Sequence, residues 1–590
     1  MIFGKHINRY YLKYSPILLL GIFALLLVDY FQLELPELYK MVIDGANNGF
    51  VIVDGVRHEF DVDFVLVKVC RPFIVIILAM LSGRFLWRVC FFGSAIKVET
   101  SMREAMFARA KELSQEYYQR NKVGNMMSLF TNDLDTINEC FGDGVLMLFD
   151  AVLLGGFAIY KMGRMDAVLL LLSLIPMVFL FIASTVVGSF MMKKWEARQE
   201  AFSKLSDFSQ ESFSGIAVIK AFVKEARELW AFKKLSAENE KTNVDFTKIS
   251  TLLHICVTLF VESVIIIILG YGGYLVYIDR FTAGELIEFM SYFSTVVWPV
   301  MAVSYLIEMS SRGKASMKRI AELLDAVPTV VDSPDVKDVD FISGDIEFKN
   351  LTFRYPDADY DALENVTLKI EKGENVGIVG KTGSGKTTLV DLILRIYNVP
   401  RGTLFIDGHD VNDVPIKTVR RFSAYVPQDN FLFSDTIENN IAFASDMAET
   451  DGIINAAKLA DVHGNISEFK DGYSTVLGER GVTVSGGQKQ RISIARALMK
   501  DASILILDDS VSAVDTSTEK TILENLRKTR SGKTTILIAH RISTVEKMDK
   551  IIFIDDGKVK ACGTHEHLYN TSAEYRTTVD LQKLEEGVSE

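Results

Sequence analysis

The residues Gly380-Lys381-Thr382-Gly383-Ser384-Gly385-Lys386-Thr387-Thr388 fit the pattern G-x-x-x-x-G-K-[ST] without a mismatch. Glycines at 380, 383 and 385 let the backbone curl so that its N–H groups face an anion, and a helix starting near Lys386 adds the positive end of its dipole. Lys386 brings a positive charge to phosphate, and the Thr387 hydroxyl is a ligand for a magnesium ion. The implied chemistry is binding of ATP, with Mg2+, through the β- and γ-phosphates. The flanks suit this reading: the apolar run Asn375-Val376-Gly377-Ile378-Val379 precedes the loop as a buried strand does, and residues 389–394 have a helix former's composition. A glycine-rich turn that binds nothing would not need strand, loop and helix in this order.

A carboxylate follows further along. Ile504-Leu505-Ile506-Leu507 forms a buried strand that delivers Asp508 at its C-terminal edge, where ligands bind in open parallel sheets. Asp508 is the magnesium partner expected for Thr387. Three more polar groups stand out: Ser485-Gly486-Gly487-Gln488 at the start of a helix-like run, Gln428 after Val426-Pro427, and His540 after Ile538-Ala539. From residue 346 onward, short β-rich runs (346–351, 366–370, 376–379, 403–406, 423–426, 504–507, 535–538 and 551–554) alternate with helical segments. That alternation predicts an α/β nucleotide-binding domain.

The elements ahead of this domain are of another kind. The chain has 590 residues of which 49% are hydrophobic, and its mean hydropathy of +0.20 predicts a membrane-embedded part. Six segments are long enough to cross a bilayer, at about 17–35, 64–92, 145–160, 167–190, 252–278 and 286–307. Lysines and arginines crowd the stretches between the second and third and between the fourth and fifth segments, which puts both in the cytoplasm; Lys161 and Arg164 in an outer loop run against the rule. The two long cytoplasmic stretches keep a helical pattern well past any bilayer. A segment with Pro328, Pro334 and many aspartates then forms a linker. The expected architecture is multidomain: an all-α six-span transmembrane domain over 1–325, a linker over 326–340 and an α/β P-loop domain over 341–590. The net charge of −12 excludes a nucleic-acid partner, since no basic stripe dominates any segment. Five scattered cysteines without a C-x-x-C pair indicate neither zinc nor a disulfide framework. The N-terminal apolar run lacks a small-residue cleavage site and reads as a retained first span. Among charged residues in or near spans, Glu262 and Glu308 are the better candidates for a polar substrate cavity; the alternative is that such charges sit in water beyond the bilayer.

These motifs, in this order, resemble the ATP-binding cassette (ABC) family, and the spans ahead of them are similar to an exporter half-transporter. The resemblance implies that Tyr355 stacks on adenine, that Gln428 senses magnesium and the attacking water, and that His540 contacts the γ-phosphate. It implies that Ser485, Gly486, Gly487 and Gln488 reach the ATP held by an opposite subunit, and that Ser512 and Asp515 belong to a dimer-contact loop. Glu479-Arg480-Gly481 matches the loop that touches the membrane helices, and residues 211–222 resemble a cytoplasmic coupling loop. One residue departs from the pattern. Asp509 stands where efficient family members have Glu to polarise water; its carboxylate is withdrawn by about 1 Å, a displacement that can cost about a hundredfold in rate. The resemblance therefore implies ATP-driven export of a lipid-like, peptide or amphipathic drug substrate by a dimer in the cell membrane, with cytoplasmic cassettes and a slow site on this chain. A heterodimer with a second half-transporter is expected. The alternatives are a homodimeric exporter and a mainly regulatory ATP-binding subunit.

Overall fold

In a computed structural model, residues 4–53, 55–445, 447–478, 481 and 483–588 are described. They form two compact units: the residues up to Lys111 with Val123–Ala326, and Glu112–Lys122 with the chain from Val327 onward.

The first unit is helical apart from a hairpin. Its elements are α1 (Lys5–Gln32), α2 (Leu35–Asn48), the strands β1 (Phe50–Val53) and β2 (Val56–Glu59), and α3 (Arg71–Glu112). A short helix, α4 (Gln115–Arg120), belongs to the second unit; then come α5 (Leu134–Met165), α6 (Ala167–Ser214), α7 (Ile216–Ala221), α8 (Glu225–Ile267) and α9 (Ala283–Leu324). With 42 residues, α3 rises about 63 Å, roughly twice the thickness of a hydrocarbon core. Among the described residues, five helical stretches are long and apolar enough to cross a membrane: Lys5–Asn48, Val62–Glu112, Val123–Met165, Glu225–Tyr277 and Ala283–Leu324. The expected segment 167–190 lies on the 48-residue α6, whose described apolar stretch is Ala167–Leu180, so a sixth span is not among those five.

Polar residues fasten the ends of these helices. Thr282 and Glu285 form a capping box at the start of α9, and Asp44 of α2 accepts hydrogen bonds from Thr282 Oγ1 (2.8 Å) and the Gly284 N–H (2.9 Å). Asp166 caps α6 by accepting from the Leu169 N–H at 2.7 Å. Lys161, which runs against the topology rule, is neutralised locally: its Nζ lies 2.9 Å from Glu34 and donates to the Leu33 carbonyl at 3.1 Å.

The second unit is built on two sheets. A four-stranded antiparallel sheet contains β3 (Ile346–Phe353), β4 (Leu363–Ile370), β6 (Leu404–Ile406) and β7 (His409–Asp410), in the order β4-β3-β6-β7. A six-stranded sheet contains β5 (Asn375–Val379), β8 (Ser423–Val426), β9 (Ile504–Asp508), β10 (Thr534–Ile538), β11 (Lys550–Asp555) and β12 (Lys558–Gly563), in the order β12-β11-β5-β10-β9-β8. All its pairings are parallel except β11 with β12. Every residue of β9 and β10 is buried, as strands covered on both faces require. Between the strands lie α10 (Lys386–Ile393), α11 (Gly486–Met499) and α12 (Thr516–Thr529).

Candidate functional site

Strand register collects the chemistry at one sheet edge. Ile378 of β5 pairs with Ile538 of β10, which pairs with Asp508 of β9, while Leu507 pairs with Val426 of β8. The chain leaving these strands therefore presents Gly380, His540, Asp509 and Gln428 side by side. Gln428, Asp508, Asp509 and His540, together with Tyr355 and residues 382–388, line a cavity of about 480 Å³.

The loop between β5 and α10 is shaped by its glycines. Gly380 has φ 156°, and a Cβ there would stand 1.9 Å from the Ile554 carbonyl; Gly385 has φ 96°, and a Cβ would meet the Ala362 carbonyl at 2.6 Å. Only glycine fits either place. Lys386 is buried and folds back on its own loop, donating to the carbonyls of Gly380 (2.8 Å) and Lys381 (2.7 Å). Burial pulls its pKa below that of an ordinary lysine, against the opposing charges of Asp508 and Asp509. At this loop, the buried Ser384 Oγ and Asp508 Oδ2 have no hydrogen-bond partner. Asp508 is 1% exposed and bonds Thr387; burial raises its pKa, with Thr387 and Lys386 opposing. Orphaned oxygens of this kind fit a phosphate and a hard cation.

Asp509 follows β9 with φ 47°, a left-handed conformation that Asp tolerates better than most side chains. Its backbone is held on both sides: the N–H donates to Ile538 (3.0 Å), and the carbonyl accepts from Ser512 Oγ (3.0 Å) and Gln490 Nε2 (3.3 Å). Its Oδ2 lies 3.9 Å from His540 Nε2, outside hydrogen-bond distance. Tyr355 is fixed by a 2.9 Å hydrogen bond between its hydroxyl and Thr388 Oγ1 and by edge contacts with Phe353 and Tyr397.

Ser485 caps α11: its Oγ accepts from the Gln488 N–H and its own N–H donates to Gln488 Oε1, a reciprocal box that leaves Ser485 and Gly486 exposed and Gly487 and Gln488 half-buried. Ser485, Gly486 and Gly487 do not line the cavity described above. Asp515 caps α12; hydrogen bonds from Ser517 and from the Thr518 N–H hold its carboxyl well below the usual range. Gly481 packs against Leu432, while Glu479 and Arg480 lie outside the described residues. In the helical unit, Glu262 is exposed on α8, and Glu308 on α9 is exposed with its carboxylate 3.6 Å from Arg312.

Two features are absent from the reading of the sequence. Gln490 ties α11 to the loop after β9 at two points: its Nε2 donates to the Asp509 carbonyl, and its Oε1 accepts from the Ala513 N–H at 3.0 Å. In addition, α4 is tied to the cassette: Ser114 Oγ accepts from the N–H groups of Thr329 and Val330 (3.1 and 2.9 Å), and Arg120 Nε donates to Asp357 at 2.9 Å, two residues from Tyr355. No local pattern announces either.

Comparison with known proteins gives matches along most of the chain. Residues 18–300 match the model of the ABC transporter transmembrane region, and residues 363–512 match that of the ABC transporter. The chain is 35% identical over 588 residues to the probable multidrug resistance ABC transporter ATP-binding/permease protein YheI of Bacillus subtilis, covering 99% of this chain and 98% of that one. It is 34% identical over 498 residues to an ATP-dependent lipid A-core flippase of Syntrophus aciditrophicus, covering 84% and 82%. A solved bacterial Atm1-family ABC exporter with ATP bound superposes with a TM-score of 0.77 at 25% identity, covering 98% of both chains.

Proposed function

The chain belongs to the ABC transporters, membrane-embedded ATPases coupled to transport, and we propose that it is one half of a dimeric exporter whose own ATP site turns over slowly. The observation that carries the slow site is Asp509, a short carboxylate standing 3.9 Å from His540.

Each residue of the edge has a part. The loop amides and Lys386 hold the phosphates, Lys386 exchanging two backbone carbonyls for phosphate oxygens. Tyr355 supports the adenine ring with its face. Thr387, Asp508 and Gln428 would hold Mg2+, which supplies positive charge to the β- and γ-phosphates. Asp509 orients the attacking water and His540 contacts the γ-phosphate. Ser485, Gly486, Gly487 and Gln488 cap the nucleotide of a partner subunit, and the loop of Ser512 and Asp515 lies at that dimer contact. Closure of two such composite sites converts ATP binding into rigid-body movement of the long helices, which opens a membrane cavity alternately to each side.

With a short carboxylate but an intact turn at 485–488 whose Ser485 and Gly486 are exposed, this chain is suited to complete a fast site on a different subunit that carries Glu. That favours a heterodimer, and it also favours a second reading in which this chain is chiefly an ATP-occupied control subunit. The names of the relatives, a multidrug transporter and a lipid A-core flippase, support an amphipathic substrate. The test is ATP turnover by the full-length chain alone in lipid nanodiscs, with its oligomeric state determined in the same sample. ATP bound with near-zero turnover is the expected result. Robust hydrolysis by a homodimer overturns both the slow site and the heterodimer.

A further inference from the structure

His540 sits on backbone that belongs to neither sheet nor helix. The ladder of β10 ends where the Ala539 N–H donates to the Ile378 carbonyl at 3.1 Å, and the next helix, α13, covers only Ile542–Val545. Between them Arg541 is extended, with φ −94° and ψ 129°. In extended chain the carbonyl before a residue and the N–H after it point to the same side, where a neighbouring parallel strand would satisfy both. Here a single side chain does so. Gln582 Nε2 donates to the His540 carbonyl at 2.7 Å, and Gln582 Oε1 accepts from the Ile542 N–H at 2.8 Å. That N–H opens a helix and is one of the donors a helix leaves unpaired.

The amide is carried by a well-anchored element. Gln582 belongs to the last helix, α14 (Ala573–Val588), where it shares a face with Tyr575 and Val579 by helical spacing. Both of those residues are buried, the Tyr575 ring packs edge-on against Phe553 of β11, and its hydroxyl lies 2.8 Å from His565 Nδ1. Arg576 ties the same helix to the carbonyls of Tyr569 and Asn570 at 2.7 and 2.8 Å. The imidazole of His540 is held by much less. It is exposed, no hydrogen bond reaches it among the described residues, and Asp509 Oδ2 stands 3.9 Å away. Its direction is set by its own backbone, and the carbonyl of that backbone is the one Gln582 holds.

We propose that Gln582 is a positioning residue that aims His540 at the γ-phosphate, so that the last helix of the chain sets how well the site tells ATP from ADP. This rests on the reading of His540 as the γ-phosphate contact and adds the part that holds the histidine in place. Gln582 lines the far side of the His540 turn and not the nucleotide cavity, so it acts on bound ATP only through His540. Without the amide, the His540 carbonyl and the Ile542 N–H turn to water, the peptide between His540 and Arg541 rotates, and the imidazole loses its direction.

The probes are Mg-ATP and Mg-ADP, with equilibrium binding to the full-length chain in nanodiscs and the ratio of the two affinities as the readout. Gln582→Met keeps the length of the side chain and removes both hydrogen bonds. A hydrogen bond to a charged group is worth about ten- to hundredfold in affinity, so His540→Ala should lose about tenfold or more of the preference for ATP. Gln582→Met disturbs the imidazole without removing it and should lose about three- to tenfold, with ADP bound within about twofold of the wild type. Gln582→Glu, which keeps the acceptor for the Ile542 N–H and loses the donor to the His540 carbonyl, should lose preference too and stands in if the Met variant does not fold. In the double variant of His540→Ala with Gln582→Met the loss should equal that of His540→Ala alone, because Gln582 then has nothing left to aim. A merely structural Gln582 would weaken both nucleotides alike, so ADP affinity also reads folding. The inference is overturned if the Gln582 variants keep the full preference while His540→Ala loses it, if they weaken ATP and ADP equally, or if the two losses add in the double variant. A preference untouched by His540→Ala removes the reading of His540 and this inference with it.

Discussion

Replacing Asp509 by Glu should convert a slow ATP site into a fast one. Asp is one methylene shorter than Glu, which withdraws the carboxylate by about 1 Å from the water that the longer side chain would orient, and Asp509 Oδ2, 3.9 Å from His540 Nε2, makes no hydrogen bond to the imidazole that would hold it forward. One added methylene spans that gap, and the cavity of about 480 Å³ has room for it. A misplacement of 1 Å can cost about a hundredfold, or about 2.7 kcal/mol of barrier, and Asp509→Glu should return most of it. The backbone does not oppose this strongly: a Glu held at φ 47° costs about 1 kcal/mol of stability, which appears in a thermal melt and not in the rate per folded molecule. The assay is steady-state ATP hydrolysis by the full-length chain in nanodiscs at saturating Mg-ATP, with Lys386→Ala as the zero. A rise of less than about threefold would refute the reasoning, because transition-state positioning would then not depend on carboxylate reach. A wild-type rate already equal to that of the Glu variant would refute it from the other side.

Two further outcomes test the geometry around the phosphates. Gly383 and Gly385 both have positive φ, but a Cβ at Gly383 meets open space while one at Gly385 meets the Ala362 carbonyl at 2.6 Å. In the nucleotide-free protein, Gly383→Ala should cost about 1 kcal/mol and Gly385→Ala about 1 to 3 kcal/mol more; equal melting temperatures would contradict the close approach. Asp391 of α10 has its pKa raised to about 7 by burial and by the charge of Asp508. The folded chain thus keeps this proton up to about pH 7, while the unfolded chain releases it near 3.8, so this group's contribution to stability falls as pH rises between those values. Asp391→Asn should therefore melt above the wild type at pH 8 and lose that advantage at pH 4, with an upper bound of about 4 kcal/mol on the difference; a gap independent of pH would show that Asp391 does not titrate there.

What the sequence makes legible is what local rules encode. The loop at 380–388 is readable because a turn around phosphate demands glycines at fixed offsets, and the register from Ile378 through Ile538 to Asp508 then brings the remaining groups to its edge. The long helices are readable because apolar composition over some 20 residues has few other uses. Contacts between distant segments leave no such trace. Ser114 meets Val330 across 216 positions, and nothing at either end distinguishes it from any exposed serine before a helix. Gln490 sits inside a helix that reads equally well without its two loop contacts. The charged residues of the spans show the limit most clearly. Glu262, Glu308, Asp29 and Arg84 look alike in sequence, since each interrupts an apolar run. Burial separates them: Glu262 and Glu308 are exposed, whereas Asp29 is enclosed by packing between α1 and its neighbours and lacks a partner for one oxygen. The free energy of a charge in a membrane depends on what surrounds it in three dimensions, so the substrate chemistry of such a chain is written in helix packing, and a one-dimensional pattern of charges names the candidates without choosing among them.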